Sequence, residues 1–420
     1  MQVSKIINFS FLLSIFFALS PFIRLDWIDI YYNYVIIALT MPYLIYKIRS
    51  FPKKVTYIVL IFFLIGLINV FKGDNSITNL LKIIIGVFSS TLYYDYVIKY
   101  NNFDIDKLFK WFLNGSVVVS AIGLIQYFSY EIGFQPGYDF RWMGIMMLVE
   151  NGHYSIHSIF SEPAHFVTAI MPAALFAVYN IIFNKSFLLS KLSSVTILLS
   201  IMLSGSSTGY IGIFFILILI LLNNISFKLV GVTVVLVFVS FSALYDNLPK
   251  FQRRFDASTQ LFIAKEYISE DEADATEGSS MTIYNHYHIA VENFKQHPLF
   301  GTGVGSHATA HQRYSLFPNN YFNDYNINDA CNMFNRLLSE TGLFGIGSIS
   351  FFFYSNFISK KSTTRHKKHE KYWLYSASTI VAFLVRLLRQ GHYFIYGFPF
   401  FILIYFYNHK KFYLSDEDSR

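Results

Sequence analysis

Residues 47–72 read KIRSFPKKVTYIVLIFFLIGLINVFK, and this stretch decides the fold. Residues 56–71 contain no charged side chain, whereas the loop before them carries four cations, Lys47, Arg49, Lys53 and Lys54. A run of roughly 17–25 apolar residues crosses a hydrocarbon core of about 30 Å. The stretch therefore predicts a membrane-spanning helix that follows a basic loop.

The same pattern repeats from one end of the chain to the other. Of the 420 residues, 54% are hydrophobic and 14% are charged, and 46 are Phe. A soluble domain does not need so much apolar surface, so the surplus is expected to face lipid. We predict an all-α integral membrane protein, with a single polytopic domain over residues 1–420 and about twelve transmembrane helices. The predicted spans lie near residues 6–23, 28–46, 56–71, 77–98, 111–130, 158–183, 187–203, 209–222, 228–245, 331–358, 372–388 and 393–407.

The basic residues indicate how the chain is oriented. With the N-terminus in the cytoplasm, 20 of the 33 Lys and Arg fall on cytoplasmic segments, and five fall on short outer loops. Because Lys and Arg concentrate in cytoplasmic loops, this split predicts that both termini are cytoplasmic. Membrane orientation thereby explains the net charge of +7, and no nucleic-acid partner is expected.

Two outer loops are longer than the rest, residues 131–157 and residues 246–330. Loops of more than about 12–15 residues without regular structure are uncommon unless they carry function. In the longer loop, residues 262–280 are rich in Asp and Glu, and residues 281–296 have apolar side chains at helical spacing. The apolar residues on that predicted helical face are Ile283, Tyr287, Val291 and Phe294. We predict a flexible acidic segment, then a helix at the membrane interface, and we expect the chemistry on the outer side.

Arginines near the outer ends of spans are candidates for binding a phosphate group. Arg141, Arg386 and Arg389 lie where the positive-inside bias disfavours them, and Arg313 is a weaker candidate in the longer loop. A guanidinium stays charged and offers a planar fork of donors, which suits a diphosphate whose lipid tail remains in the bilayer. The alternative is contact with lipid headgroups, with the aliphatic stem buried.

Glu162 and His165 are candidates for acid–base chemistry. They lie three residues apart at the start of the sixth predicted span, where one helical face is expected to hold both. A carboxylate in such a place can have a raised pKa and act as a general base. The alternative is an acidic residue that is stabilised by the helix dipole, with Pro163 in the first turn.

Residues 297–306, HPLFGTGVGS, form a glycine-rich segment. Its third glycine is one position early for GxGxxG, and no strand pattern precedes it, so no dinucleotide site is predicted. We predict a tight turn that uses positive φ at Gly301 and Gly303. His307 and His311 have the i, i+4 spacing of zinc ligands, but two ligands do not make a site, and no metal is predicted.

Across roughly residues 140–400, these motifs together resemble the Wzy-type O-antigen polymerases and the related O-antigen ligases. The segment from His297 to Gly305 is similar to the family's Pro-Leu-x-Gly-x-Gly turn. Residues 332–345, NMFNRLLSETGLFG, are similar to its helix with Glu-x-Gly-x-x-Gly, which places Glu340 and the glycines in a supporting role. Residues 158–166 look like its Glu-Pro-Ser-His-Phe stretch.

The resemblance implies a GT-C-like helical glycosyltransferase in the bacterial inner membrane, multi-pass, with both long loops in the periplasm. The implied substrate is an undecaprenyl-diphosphate-linked oligosaccharide in a membrane of surrounding lipids. No cofactor is implied, and a chain-length regulator protein is a possible partner. Where the ligases carry His before Asn, this chain has Cys331, and Thr208 takes the place of a family arginine. These departures favour a metal-independent, inverting polymerase that acts on surface polysaccharide.

Two alternatives stay open. The nearer is a ligase that transfers finished glycan to the lipid A core. The farther is a flippase or transporter of lipid-linked sugars, which would not be an enzyme. Transporters usually have repeated halves and polar residues at mid-membrane, whereas the unusual residues here cluster on one side.

Overall fold

The computed structural model describes residues 2–18, 21–25, 28–143, 145, 147, 149–150, 153–223, 231, 242, 245–246, 249–264, 278–319, 323–365 and 369–417. Helices dominate the described residues. The first nine are α1 (Gln2–Phe16), α2 (Tyr32–Ile48), α3 (Lys53–Phe71), α4 (Ile77–Tyr100), α5 (Ile105–Glu131), α6 (Gln135–Tyr138), α7 (Pro163–Ile182), α8 (Lys191–Leu203) and α9 (Ser207–Asn223). The later ones are α10 (Pro249–Thr259), α11 (Gly278–Gln296), α12 (His307–Tyr314), α13 (Met333–Ser355), α14 (Lys360–Arg365), α15 (Lys371–Arg389) and α16 (Phe398–Glu417).

Two short antiparallel hairpins interrupt the helices. Strands β1 (Pro21–Leu25) and β2 (Ile28–Tyr31) pair between α1 and α2, and β3 (Val149–Glu150) pairs with β4 (His153–Tyr154). The predicted spans 6–23 and 28–46 are wrong at these ends, because the apolar residues there form the first hairpin. Pro21 has no N–H to continue a helix, and short apolar runs fit a strand as well as a helix.

Among the described residues, four helices are long and apolar enough to cross a membrane: Ile77–Tyr100, Ile105–Glu131, Pro163–Ile182 and Met333–Arg365, the last across α13 and α14. Shorter apolar helices lie at Val3–Phe16, Val55–Phe71, Lys191–Leu203 and Ser207–Asn223. Helix α3 exposes Leu64, Ile68 and Phe71, and we expect this apolar face to contact lipid and not water. The chain is a helical, multi-pass membrane protein. The predicted span 228–245 lies almost wholly outside the described residues.

Helix α7 lies at the centre of the bundle. Of its most apolar 18-residue window, 83% is buried, and it packs against α8, α9 and α15. Aromatic rings join the helices around it: Phe109 of α5 lies 4.6 Å from Tyr375 of α15, and Phe112 lies 5.0 Å from Phe401 of α16. Ring pairs at these distances add to the packing of the core.

The longer outer loop contains helices α10, α11 and α12, and its acidic residues 265–277 lie outside the described residues. Helix α11 lies where the sequence predicts a helix, and the side that it buries within the protein is mostly polar. The buried residues are Ser280, Met281, Thr282, Asn285, His286, Ile289, Ala290 and Asn293, whereas Tyr287 of the predicted apolar face is exposed. Hydrogen bonds of His286 and Asn293, described below, hold the buried side of this helix in place.

Several connections meet at one end of the bundle, which we call the loop face: residues 72–76, 155–162, 297–319, 323–332 and 390–397. Asn75 donates to the carbonyl oxygen of Val304 at 3.1 Å, and the ring of His165 lies 5.6 Å from that of Tyr396. The loop face thus joins segments that are more than 200 residues apart in sequence.

Candidate functional site

The glycine-rich turn 297–306 docks on the middle of α13. The N–H of Gly303 donates to the carbonyl oxygen of Glu340 at 2.8 Å, and the N–H of Leu343 donates to that of Pro298 at 2.9 Å. Helix α13 is kinked at Gly342, which has φ 56° and ψ −152°. The two motifs that carry the family resemblance are therefore in direct contact.

Gly301 is required at this contact for two reasons. Its φ is +62°, in the left-handed region, and a β-carbon there would collide with the backbone of Glu340 and Thr341. Buried polar groups hold the same contact: the Asn293 amide of α11 donates to Thr302 Oγ1 at 2.9 Å and to the Ser339 carbonyl oxygen at 2.9 Å. The predicted tight turn is present, with φ of +62° at Gly301 and +88° at Gly303.

An ionic cluster lies in α13 just before the kink. Arg336 Nε donates to Glu340 Oε1 at 3.0 Å, and both side chains are almost fully buried, with exposures of 1% and 0%. Tyr393 donates to Glu340 Oε2 at 3.0 Å, and its ring lies 4.4 Å from the guanidinium of Arg336. Arg336 Nη1 donates to the carbonyl oxygen of Gly391 at 3.0 Å. Arg336 Nη2 is buried and has no hydrogen-bond partner among the described residues.

Asp329 lies beside this cluster on a strained turn. Ala330 and Cys331 follow it with φ of 58° and 62°, conformations that cost non-glycine residues about 1–3 kcal/mol each. Asp329 Oδ1 accepts a hydrogen bond from the N–H of Cys331 at 3.2 Å, and Oδ2 lies 3.5 Å from His392 Nε2. Burial raises the pKa of Asp329, against the opposing effect of Arg336, His286 and His165. Strain of this kind clusters at functional sites.

A cavity with about 50 Å³ of room for water-sized molecules opens next to the cluster. Two cationic side chains, Lys82 of α4 and Arg336 of α13, line it together with His392. The other lining residues are Tyr31, Tyr34, Asn79, Ile83, Gly305, Asn328, Phe394 and Ile395. Cationic groups beside tyrosine rings can hold an anion next to a sugar.

Three histidines of the longer loop lie together nearby. His286 Nε2 bonds to the carbonyl oxygen of Tyr325 at 2.8 Å, and His286 Nδ1 lies 2.9 Å from His307 Nε2. The ring of His311 lies 5.4 Å from that of His286. Burial lowers the pKa of all three rings. In the part of the chain that the structure describes, no group of three His, Cys, Asp or Glu is placed to hold a metal ion.

The sequence-predicted pair Glu162 and His165 lies at the loop face. Helix α7 begins at Pro163, so the predicted start at 158 is wrong, and Glu162 is the extended N-cap residue with φ −146°. Proline fits the first helical position, where no N–H is needed. Glu162 is exposed and precedes the helix, so it does not share a helical face with His165. His165 Nδ1 lies 2.8 Å from Ser161 Oγ.

The predicted arginines occupy four different environments. Arg386 is fully buried, and its guanidinium donates to the carbonyl oxygens of Ala382 and Ile395 at 3.1 Å each. Arg389 of the same helix lies near Cys331. Arg141 pairs with Asp139, its Nε 2.8 Å from Oδ1, and Arg313 pairs with Asp74 at 2.7 Å. Arg386 therefore contacts the backbone of Ile395, which lines the cavity, whereas Arg141 and Arg313 form ion pairs with acidic residues of loops.

Sequence reasoning missed the residues that surround the cavity: Lys82, Asp329, Arg336 and His392 as site residues. Two of them could have been found from the sequence. Lys82 and Arg336 lie in apolar runs, and an ionisable residue within a membrane span indicates a functional site by default. Asp329 and His392 stand in loops and give no such signal.

Comparison with known proteins supports a family assignment for part of the chain. No curated protein matches it. Residues 192–350 match the protein family described as O-antigen ligase, and this segment includes the glycine-rich turn, Asp329 and the ionic cluster of α13. The predicted resemblance is confirmed there: residues 192–350 are similar to the O-antigen ligase family.

Proposed function

We propose that the chain is a surface-polysaccharide polymerase, which transfers a glycan from undecaprenyl diphosphate onto another lipid-linked repeat unit. The observation that carries the proposal is the cavity at the loop face, where Lys82, Arg336 and His392 meet tyrosine rings. The family match supports the coarser statement, a role in polysaccharide assembly by a membrane enzyme. The proposal includes a GT-C-like bundle of about twelve spans in a bacterial inner membrane, with cytoplasmic termini.

In this proposal the diphosphate of the donor binds between Lys82 and Arg336. Arg336 Nη2 is buried and unpartnered among the described residues, and an anion in the cavity would satisfy it. Arg386 adds positive charge behind the cavity wall, because it contacts the lining residue Ile395, and Arg141, Arg313 and Arg389 are the further sequence-predicted arginines for the diphosphate. Fixed cations stabilise the charge that grows on the departing diphosphate, without reorganisation during the reaction.

The acceptor hydroxyl attacks the anomeric carbon from the side opposite the diphosphate, which inverts the configuration. Tyr31 and Tyr34 provide ring faces for the sugar. Glu162 and His165, at the N-terminus of α7, are the sequence-predicted groups for proton transfer. A chain-length regulator would contact the same outer side.

Lys82→Gln tests the proposal in the source organism. We expect deletion of the gene to leave lipid A core capped with a single repeat unit, and wild type to restore long polymer. Lys82→Gln should reduce polymer by about tenfold or more, because one charged donor to the diphosphate is lost. The measurement is the banding of surface polysaccharide on a gel, at equal protein levels.

The matched control is Lys410→Gln, an exposed lysine of α16 outside the lining of the cavity. This variant should restore the wild-type ladder. A Lys82→Gln ladder equal to that of the control would count against the cavity as the donor site.

A ligase is the second candidate, because the matched family is described as O-antigen ligase. A ligase uses the same donor and differs in its acceptor, the lipid A core. Its deletion would leave uncapped core together with accumulated lipid-linked polymer. If the same gel gave that outcome, the assigned activity would be that of a ligase and not of a polymerase.

A further inference from the structure

The acceptor hydroxyl must lose a proton during the transfer, and the group that takes it must reach the cavity. We propose that His392, oriented by Asp329, takes this proton. The inference rests on the proposed function, and it assigns the base to a residue other than the sequence-predicted Glu162.

His392 has the position that this role requires. It lines the cavity with Arg336 and Lys82, and 27% of its side chain is exposed. Its Nε2 lies 3.5 Å from Asp329 Oδ2, so Nδ1 is the nitrogen left for a substrate hydroxyl. A separation of this size is common for catalytic pairs before substrate is bound.

The backbone holds His392 and Asp329 together. A β-carbon on Gly391 would collide with the carbonyl oxygen of Asp329, so these two segments pack more closely than any other residue at 391 permits. The carbonyl oxygen of Gly391 also accepts from Arg336 Nη1 at 3.0 Å. This hydrogen bond links Arg336, the proposed contact of the donor diphosphate, to the loop that contains His392.

Other groups at the loop face fit the role less well. Among the described residues that line the cavity, neither Glu162 nor Cys331 is present. Glu162 is exposed at the N-terminus of α7. Burial raises the pKa of the Cys331 thiol, and Asp329 raises it further, so the thiol stays protonated.

The surrounding charges couple His392 to substrate binding. Burial lowers the pKa of His392 well below its usual value, and Arg336, His165, Lys82 and Arg386 lower it further, so the ring is neutral. These groups and Asp329 are the titratable and charged residues that face it from α13, α7, α4, α15 and the 323–332 segment. A bound diphosphate cancels the charges of Arg336 and Lys82, and this raises the pKa of His392 back toward the usual value of a histidine.

The step balances as follows. The acceptor oxygen forms a bond to the anomeric carbon, and its proton goes to His392 Nδ1. The bond from that carbon to the diphosphate oxygen breaks, and the electron pair leaves with the lipid diphosphate. The imidazolium, stabilised by the Asp329 carboxylate, then releases its proton to water.

The test uses the full chain in lipid nanodiscs and lipid-linked repeat units extracted from a strain that lacks the gene. We expect His392→Gln to lower kcat by about 10²–10⁴-fold, the usual contribution of a general base, with KM changed by less than about threefold. The control His288→Gln, on α11, should keep kcat within about threefold of wild type.

Asp329→Asn tests whether Asp329 acts on His392 or only stabilises the fold, because a purely structural role would not change the pH dependence of kcat. In a plot of kcat against pH, the kcat of wild type should rise through the pKa of the base, His392. Asp329→Asn removes the carboxylate that stabilises the imidazolium, which lowers the pKa of His392, so the rising limb of the plot should move to lower pH. A His392→Gln enzyme with wild-type kcat, or an Asp329→Asn enzyme with an unmoved limb, overturns the inference. A wild type that elongates nothing rejects the proposed function itself.

Discussion

Arg336→Met is expected to lose both stability and polymer synthesis. Glu340 would be left as a buried carboxylate without its guanidinium, and breaking a buried ion pair costs about 3–5 kcal/mol. Transfer should fall by at least about 10²-fold, because a donor that faces the cavity disappears. Stability would be measured by thermal unfolding in detergent, and transfer by elongation of lipid-linked repeat units.

A compensated variant separates the two losses. Arg336→Met combined with Glu340→Leu and Tyr393→Phe replaces the whole cluster by apolar groups, and such replacements of buried pairs are often neutral or stabilising. We expect this triple variant to regain most of the stability and none of the activity. A stable triple variant that still elongates glycan would mean that Arg336 has only a structural role.

Gly301→Ala is expected to have the second largest effect. The left-handed φ of +62° costs alanine about 1–3 kcal/mol, and the β-carbon also collides with the backbone of Glu340 and Thr341. The turn would move away from α13, and the Asn293 bonds to Thr302 and Ser339 would weaken with it. We expect a lower unfolding temperature in detergent and loss of most transfer activity.

Gly347→Ala is the matched control for this substitution. Gly347 lies in the same helix α13, and a β-carbon there meets nothing within 4 Å. Alanine in a helix is favoured over glycine by up to about 1 kcal/mol, so this variant should be as stable as wild type or more so. Equal melting temperatures for Gly301→Ala and Gly347→Ala would contradict the docking of the turn on α13.

The sequence predicts the helical membrane class well because apolar runs have one physical explanation. Helices α3, α4, α5 and α9 lie where the apolar runs predict them. The failures come from short-range chemistry that hydropathy does not represent. The first hairpin takes the ends of two predicted spans, and α7 begins at Pro163 because Glu162 is extended.

The site was predicted in part. The glycine-rich turn and the Glu340 helix could be identified as motifs in the sequence, whereas their contact is seen only in the structure. Asp329 and His392 could not be paired in advance, since 63 residues separate them and only the close approach of Gly391 brings them together. Tertiary packing of this kind leaves no periodicity in the sequence.

Elongation by the purified protein tests the central claim most directly, the claim that the cavity joins one lipid-linked glycan to another. Wild type in nanodiscs would receive lipid-linked repeat units as both donor and acceptor, with no lipid A core present, and product length would be read on a gel. We predict a ladder of lengthening products with wild type and single units with the triple variant of the α13 cluster. A ladder from both proteins would contradict the site, and products from wild type only after addition of lipid A core would contradict the polymerase.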